Sequence, residues 1–247
     1  MPLGIPAVAG VIDRRILLNY RVDADAMAAA LPAPFEPLTV DGDAVGGVCL
    51  IRLRDLRPRG LPAAIGVGSE NAAHRVAVEW ERADGTRETG VYVPRRDTSS
   101  RLFALGGGRL FSDRHFLADF DVTEAGDRYA VTMESRDGEA RVHVAGERAD
   151  GLPADSVFDS LAAASSFFER GSVGLSATGD REDYYAIELR TDEWAVEPLA
   201  VEAAASSYFE DASRFPPDAV ELDHALLMRD VAHTWHENEP LRAAPGG

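Results

Sequence analysis

Between His115 and Glu147 the sequence alternates in a way that leaves few structural options. Three runs, His115 to Thr123, Arg128 to Ser135 and Ala140 to Glu147, carry apolar or small residues at every second position. They are separated by Glu124-Ala125-Gly126-Asp127 and by Arg136-Asp137-Gly138-Glu139. A period of two sends alternate side chains to opposite faces of a strand, and Asp-Gly between such runs is a strong hairpin signal. The segment reads as an antiparallel meander, in which Val131 and Met133 share one face, as do Val142 and Val144. Its role is scaffold.

The flanking segments extend the β pattern. Val11 to Val22 reads as a strand, and Asp23 or Asp25 caps a short helix, Ala24 to Leu31, closed by Pro32 and Pro34. Ala44 to Arg54 is a buried strand that turns amphipathic, Cys49, Ile51 and Leu53 alternating with Leu50, Arg52 and Arg54. Arg75 to Glu81 and Thr86 to Val93 form a hairpin across Ala83-Asp84-Gly85. Asp155 or Ser156 caps a helix whose stripe of Val157, Phe158, Leu161, Ala164 and Phe168 is core, and Gly171 ends it. Tyr184 to Leu189 and Trp194 to Ala200 are strands. Ala203 to Tyr208 stays open between helix and strand, and Val220 to Met228 is the last strand. Residues 240–247 read as a disordered tail. Without a repeat or a linker-like stretch, residues 1–247 read as one domain.

Charge gathers where Gly90 to Val93 meets Pro94. The proline is expected to stop the ladder, and Asp97, Thr98 or Ser99 to cap a short helix, Ser100 to Leu105, ended by Gly106-Gly107-Gly108. Arg95, Arg96, Arg101 and Arg109 surround that break. Guanidinium groups beside a helix start suit an anion; a solvated Arg-rich turn is the simpler alternative. Arg109, between three glycines and Leu110-Phe111, is expected to be buried or half-buried, with Glu70, Glu88 and Glu169 as the first carboxylates to consider.

Composition narrows the function. The formal charge is −17, and all 25 basic residues are arginine: the chain has no lysine. A field of that sign repels phosphate backbones, so nucleic acid is not an expected partner. The acidic excess also fits a salt-rich cytoplasm. No run of about 18 apolar residues occurs, so no membrane span is expected. MPLGIPAVAG has no basic start and is too short for a signal peptide, which makes the cytoplasm the default location. Cys49 is the only cysteine, in the apolar run VGGVCLI, and reads as a small core residue.

Familiar catalytic signatures are missing. There is no Gly-x-Ser-x-Gly elbow, and Walker A needs a lysine. His233 and His236 offer metal ligands only if they share a helix face, and incidental surface histidines are the stronger reading, so no metal is expected. His74 and His115 stand at strand ends beside charged groups, positions suited either to acid–base chemistry or to structural hydrogen bonding.

Four stretches in order, LRDLRPRGLP, ENAAHRVAVEW, GVYVPRRDTSSRLFALGGGRLF, and SSFFERGSVG with the later WAVEPLAV, resemble the acetoacetate-decarboxylase-like superfamily in its branch of unknown function. The resemblance covers most of the chain. It implies an α+β, mainly β fold: curved antiparallel sheets forming a partly closed barrel or cone around an apolar pocket, with a few peripheral helices. It also implies that the run after Arg109 lines the pocket. The decarboxylase itself works through a lysine Schiff base, and the comparable region here, Asp113-Arg114-His115-Phe116, offers no amine. Guanidinium stays protonated and cannot replace it.

The resemblance therefore implies a pocket for a small, anionic carboxylic or oxo acid without Schiff-base activity and without a cofactor. Arg109, Arg101, Arg75 and Phe116 are the candidate ligand-binding residues. The alternative is a non-imine enzyme using His115 or Glu88 for proton transfer and arginine for the developing charge. A non-catalytic binder, or an accessory protein without a ligand, would differ in lacking that acid–base pair. A homo-oligomer is compatible with each. His115 is expected to lie nearer the pocket than His233 or His236.

Overall fold

A computed structural model describes residues 7–82, 84–104, 114–178 and 183–242. Nearly everything in it hangs on one 13-stranded sheet. The meander forms as expected: β7 (His115–Ala125), β8 (Arg128–Ser135) and β9 (Arg141–Arg148) pair antiparallel in sequence order. Gly126 and Gly138 take the positive φ that their turns require, and Val131, Met133, Val142 and Val144 are fully buried.

The centre of the sheet is β1 (Val8–Val22), flanked by β4 (Asp43–Pro58) and by β13 (Val220–Arg242). Its run Ile16-Leu17-Leu18-Asn19-Tyr20 is buried throughout because both faces are covered. Ile16, Leu18 and Tyr20 join one apolar cluster with Leu50, Val76, Met133 and Leu227. Leu17 joins a second, with Cys49, Ile51, Phe158, Phe168 and Met228. Each such side chain contributes roughly 1.5–3 kcal/mol by burial.

The remaining long strands are β5 (Val67–Glu81), β6 (Arg87–Thr98), β10 (Val173–Ala177), β11 (Asp183–Thr191) and β12 (Glu197–Ser206). The short strands β2 (Glu36–Pro37) and β3 (Thr39–Val40) pair β5 and β4. Helix α1 (Ala24–Ala30) starts at Asp23, which accepts from the Ala26 amide at 2.8 Å. Helix α2 (Leu161–Arg170) buries Ala164 and Phe168 in the second cluster.

The expected partly closed antiparallel barrel is corrected by the pairing. β6 bonds β5, β7 and β10, and β13 bonds β1, β11 and β12. A barrel strand has two neighbours, so strands with three make this a forked sheet rather than a β-barrel. Nor is it wholly antiparallel: β6 runs parallel to both β7 and β10.

Local expectations shift for identifiable reasons. Pro94 does not end its strand, because it falls in a register irregularity where Val76 pairs Tyr92 and His74 pairs Arg95. The missing amide is then no loss to the ladder. Helix α2 begins at Ser160, whose side chain accepts from the Ala163 amide, while Ser156 donates instead to Asp223. Ala203 to Ser206 is strand. The last strand does not stop at Met228 but continues through His233 and His236 to Arg242, so residues 240–242, read from sequence as the start of a disordered tail, are strand paired to β11.

Candidate functional site

Arg14 and Arg15 are adjacent on β1, so they leave it on opposite faces. Arg14 is buried and pairs with Glu70 and with Glu124, each at 2.6 Å. Arg52 joins the same carboxylates and Asp13. This is a structural ion-pair network, in which both Arg14 Nη atoms are used and Nε is left without an acceptor. Arg15 goes to the other face, donates from Nε to Cys49 Sγ at 3.1 Å, and sets its guanidinium over the Trp194 ring at 5.6 Å. Its Nη1 is buried without an acceptor.

Arg75 meets Arg15 across this space. It is 4% exposed, stacks on Phe168 at 4.8 Å, and donates from Nη2 to the side-chain oxygen of Asn19. Its Nε has no acceptor. Burial lowers its pKa to about 10, Arg15 adds to that shift, and the Cys49 sulfur opposes it. Arg75 thus keeps its charge at neutral pH. Among the described residues neither Arg15 nor Arg75 forms an ion pair. A buried donor without a partner costs about 1–3 kcal/mol, so unfilled N–H groups in a lined cavity mark a place for an acceptor.

A buried chain holds Arg75. The Asn19 amide nitrogen donates toward His224 Nε2 at 2.9 Å, and His224 Nδ1 meets Asp223. Asp223 also accepts from Ser156 Oγ at 2.8 Å and from the Val157 amide at 2.9 Å. Each donor finds one acceptor only if His224 carries its proton on Nδ1. Gly47 makes room: a Cβ there would lie 3.2 Å from Asn19 Oδ1 and 3.3 Å from Arg75 Nη2.

Arg15, Arg75, Cys49, Trp194 and Trp235 line a cavity of about 120 Å³. It shares Ile51, Ala73, Arg96, Ile187 and Trp235 with a second of about 100 Å³. His115 lines that second chamber with Asn71, Asp97 and Phe103. His115 and Arg96 pair across the parallel β6–β7 ladder, which puts their side chains on one face. Arg75, Val91, Phe168 and Gly171 also border a third space of about 350 Å³ beside Leu38 and Phe167.

The sequence-derived residues distribute unevenly over this geometry. Arg75 and His115 line the joined chambers. Glu88 stands elsewhere, paired with Arg82 at 2.7 Å. Phe116 holds Arg95 at 4.1 Å and Arg114 at 4.7 Å and is not among the lining side chains. Arg101 is exposed on a helical turn over 101–104, where Ser100 accepts from the Phe103 amide. Arg95 is held by Asp97 and Asp137 rather than turned to an anion. Arg109 lies outside the described residues; of its candidate partners, Glu70 is held by Arg14 and Glu169 is exposed. His233 and His236, three apart on a strand, face opposite sides. His233 is buried 4.6 Å from the Trp235 ring, and burial pushes its pKa down to about 4. Sequence reasoning missed Arg15, Asn19, Trp194, His224 and Trp235, and took Cys49 only as core.

A family model described as "uncharacterized conserved protein" matches residues 12–226. The chain belongs to the DUF2071 family. No curated protein matches this DUF2071 chain. Solved structures do. It is similar to acetoacetate decarboxylase from Legionella pneumophila, with a TM-score of 0.59 at 12% identity over 96% of this chain and 87% of that one. An acetoacetate decarboxylase-like enzyme from Sphingomonas wittichii RW1 matches with a TM-score of 0.59 at 11% identity, covering 98% and 94%. The enduracididine biosynthesis enzyme MppR, complexed with pyruvate, matches with a TM-score of 0.60 at 13% identity, covering 98% and 93%. The DUF2071 chain therefore shares the fold of the acetoacetate decarboxylases and of MppR.

Proposed function

We propose that this protein binds a small carboxylic or oxo acid in the joined chambers and catalyses proton transfer on it without an imine. The observation that carries the reading is the pair Arg15 and Arg75: two guanidiniums in one cavity, each with an unfilled buried N–H and, among the described residues, neither paired to a carboxylate. Guanidinium groups are matched to carboxylate oxygens by geometry as well as charge. Trp194, Trp235, Ile187 and Phe168 supply an apolar wall for a short carbon skeleton. MppR, which shares the fold, is complexed with pyruvate in its structure, which supports an acid of this size by analogy.

The chemistry follows from what the walls hold. With no lysine, no internal amine is present to form a Schiff base. His115 is the proton carrier: it takes a proton from the carbon next to the carbonyl and returns it to that carbon from the same side. Arg96, which lines both chambers, stabilises the negative charge that develops on the carbonyl oxygen.

The test is a thermal-shift panel of small carboxylates and oxo acids, followed by deuterium exchange of the best binder's α-carbon protons in heavy water, read by NMR. Binding to the folded state raises the midpoint. Arg75→Gln is expected to abolish the shift, and His115→Gln to abolish exchange while leaving the shift. Binding without exchange in the wild type would reject catalysis and leave a binding protein; no shift with any acid would reject both.

A further inference from the structure

The lone cysteine occupies a position that its apolar flanks conceal. Cys49 Sγ borders the inner chamber, accepts from Arg15 Nε at 3.1 Å, and lies close enough to Arg75 to act on its charge. Arg75, 4% exposed, presents an unpartnered Nε in the same chamber, and Arg15 presents an unpartnered Nη1. The sulfur therefore sits beside two positive charges that have spare donors. Gly47, one strand period before it on β4, leaves the space in which Arg75 approaches.

We propose that Cys49 is a nucleophilic site selective for small electrophiles that carry a carboxylate. The inference rests on the anion-binding reading of Arg15 and Arg75. With the carboxylate held by these guanidiniums, the electrophilic carbon one or two bonds away comes to the sulfur. The attacking species of a cysteine is its thiolate, and reactive cysteines stand beside arginine, lysine or protonated histidine in partly accessible sites. With a 2-oxo acid the sulfur–carbon bond forms while the carbonyl π pair moves to oxygen. The thiol proton ends on that oxygen, giving a hemithioketal. With a 2-halo acid the same attack expels halide. Neither step needs an oxidant or a cofactor.

A single cysteine makes the test clean, because every thiol adduct is on Cys49, and peptide mass spectrometry separates it from alkylation at methionine, histidine or the N-terminal amine. Iodoacetate and iodoacetamide differ in the carboxylate alone. The ratio of their alkylation rates is measured by intact mass on the native protein and on the urea-unfolded chain at the same pH. The expected native ratio favours iodoacetate at least tenfold more than the unfolded ratio does. Pyruvate is expected to slow native iodoacetate alkylation, and Arg15→Gln to return the ratio to the unfolded value. Equal native and unfolded ratios overturn the proposal, as does a thiol inert to both reagents. If that occurs while small acids still raise the thermal midpoint, the thiol proposal falls and the binding reading stands. If iodoacetate is preferred and no acid in the panel shifts the midpoint, the thiol site stands and the acid-binding function falls. Should Arg15→Gln not fold, protection by pyruvate decides.

Discussion

Arg75 donates its Nη2 hydrogen to the side-chain oxygen of Asn19, and both residues are buried. That bond ties the charged wall of the chamber to His224 and Asp223 on β13. It also fixes which guanidinium atoms stay available: Nη2 is used, and Nε is not. Asn19→Asp keeps the shape but puts a carboxylate against Arg75. The affinity for whichever acid gives the largest midpoint shift is expected to fall at least tenfold by calorimetry. Asn19→Leu leaves Nη2 without an acceptor and is expected to cost about 1–3 kcal/mol in urea unfolding.

Arg14 predicts a different outcome from Arg15, its neighbour in sequence. Arg14 is held by Glu70 and Glu124 on a buried face. Burial raises the Glu70 pKa, with the Arg14 attraction opposing. Arg14→Met strips that compensation and is expected to destabilise by about 3–5 kcal/mol, read in urea unfolding. Arg15→Gln, by contrast, removes no ion pair, and its main effect is expected on acid binding.

Two buried histidines set an acid limit. His74 has no hydrogen-bond partner on either ring nitrogen, and burial lowers its pKa from 6.5 to about 3. His233 is lowered from 6.5 to about 4. The unfolded chain takes up protons at these sites below pH 6.5, whereas the folded chain does not until near pH 4 and then pH 3. Stability is therefore full above that range and is lost as pH falls through it, by up to about 1.4 kcal/mol per pH unit per histidine. Urea midpoints from pH 7 to pH 4 are expected to show the decline, and His74→Phe to make it shallower. An equal slope in the variant would rule His74 out as a contributor.

Sodium borohydride with acetoacetate or pyruvate is expected to leave no reduced adduct on any internal residue, since the chain has no lysine. Peptide mass spectrometry reads the result. An adduct at the N-terminal amine would be a separate, non-specific event.

Most of the fold was legible because period-two alternation and Asp-Gly turns are local signals. The meander from His115 to Arg148 and the cap at Asp23 follow from neighbouring residues alone. The fork was not legible, because β6 and β13 each exchange one neighbour for another along their length, and no local pattern encodes that. His233-Thr-Trp-His236 misled for a related reason: polar side chains do not prevent a strand whose backbone is paired on both edges, and His233 is itself buried. In the site, His115 was visible as a histidine at a strand end beside charged groups, and Arg75 through the resembling stretch ENAAHRVAVEW. Arg15 was hidden in the Arg14-Arg15 doublet, although adjacent arginines on a strand must face opposite sides and so place one of them toward a different environment. The Gly46-Gly47 pair beside Cys49 was the remaining clue, since paired glycines within a strand leave room for something else.

The fork at β13 also sets how the molecule would open. Ala225, Leu226 and Leu227 lie between β1 and β12, while His233, Thr234 and Trp235 lie between β1 and β11. Amides there are enclosed on both edges and are freed only when several ladders part together. In hydrogen–deuterium exchange they form a slow spine, opening near the global unfolding free energy, while the two-residue strands β2 and β3 exchange by fraying. Because that spine carries Trp235 and runs directly on from His224, the arginine chamber is anchored to the last part of the protein to let go.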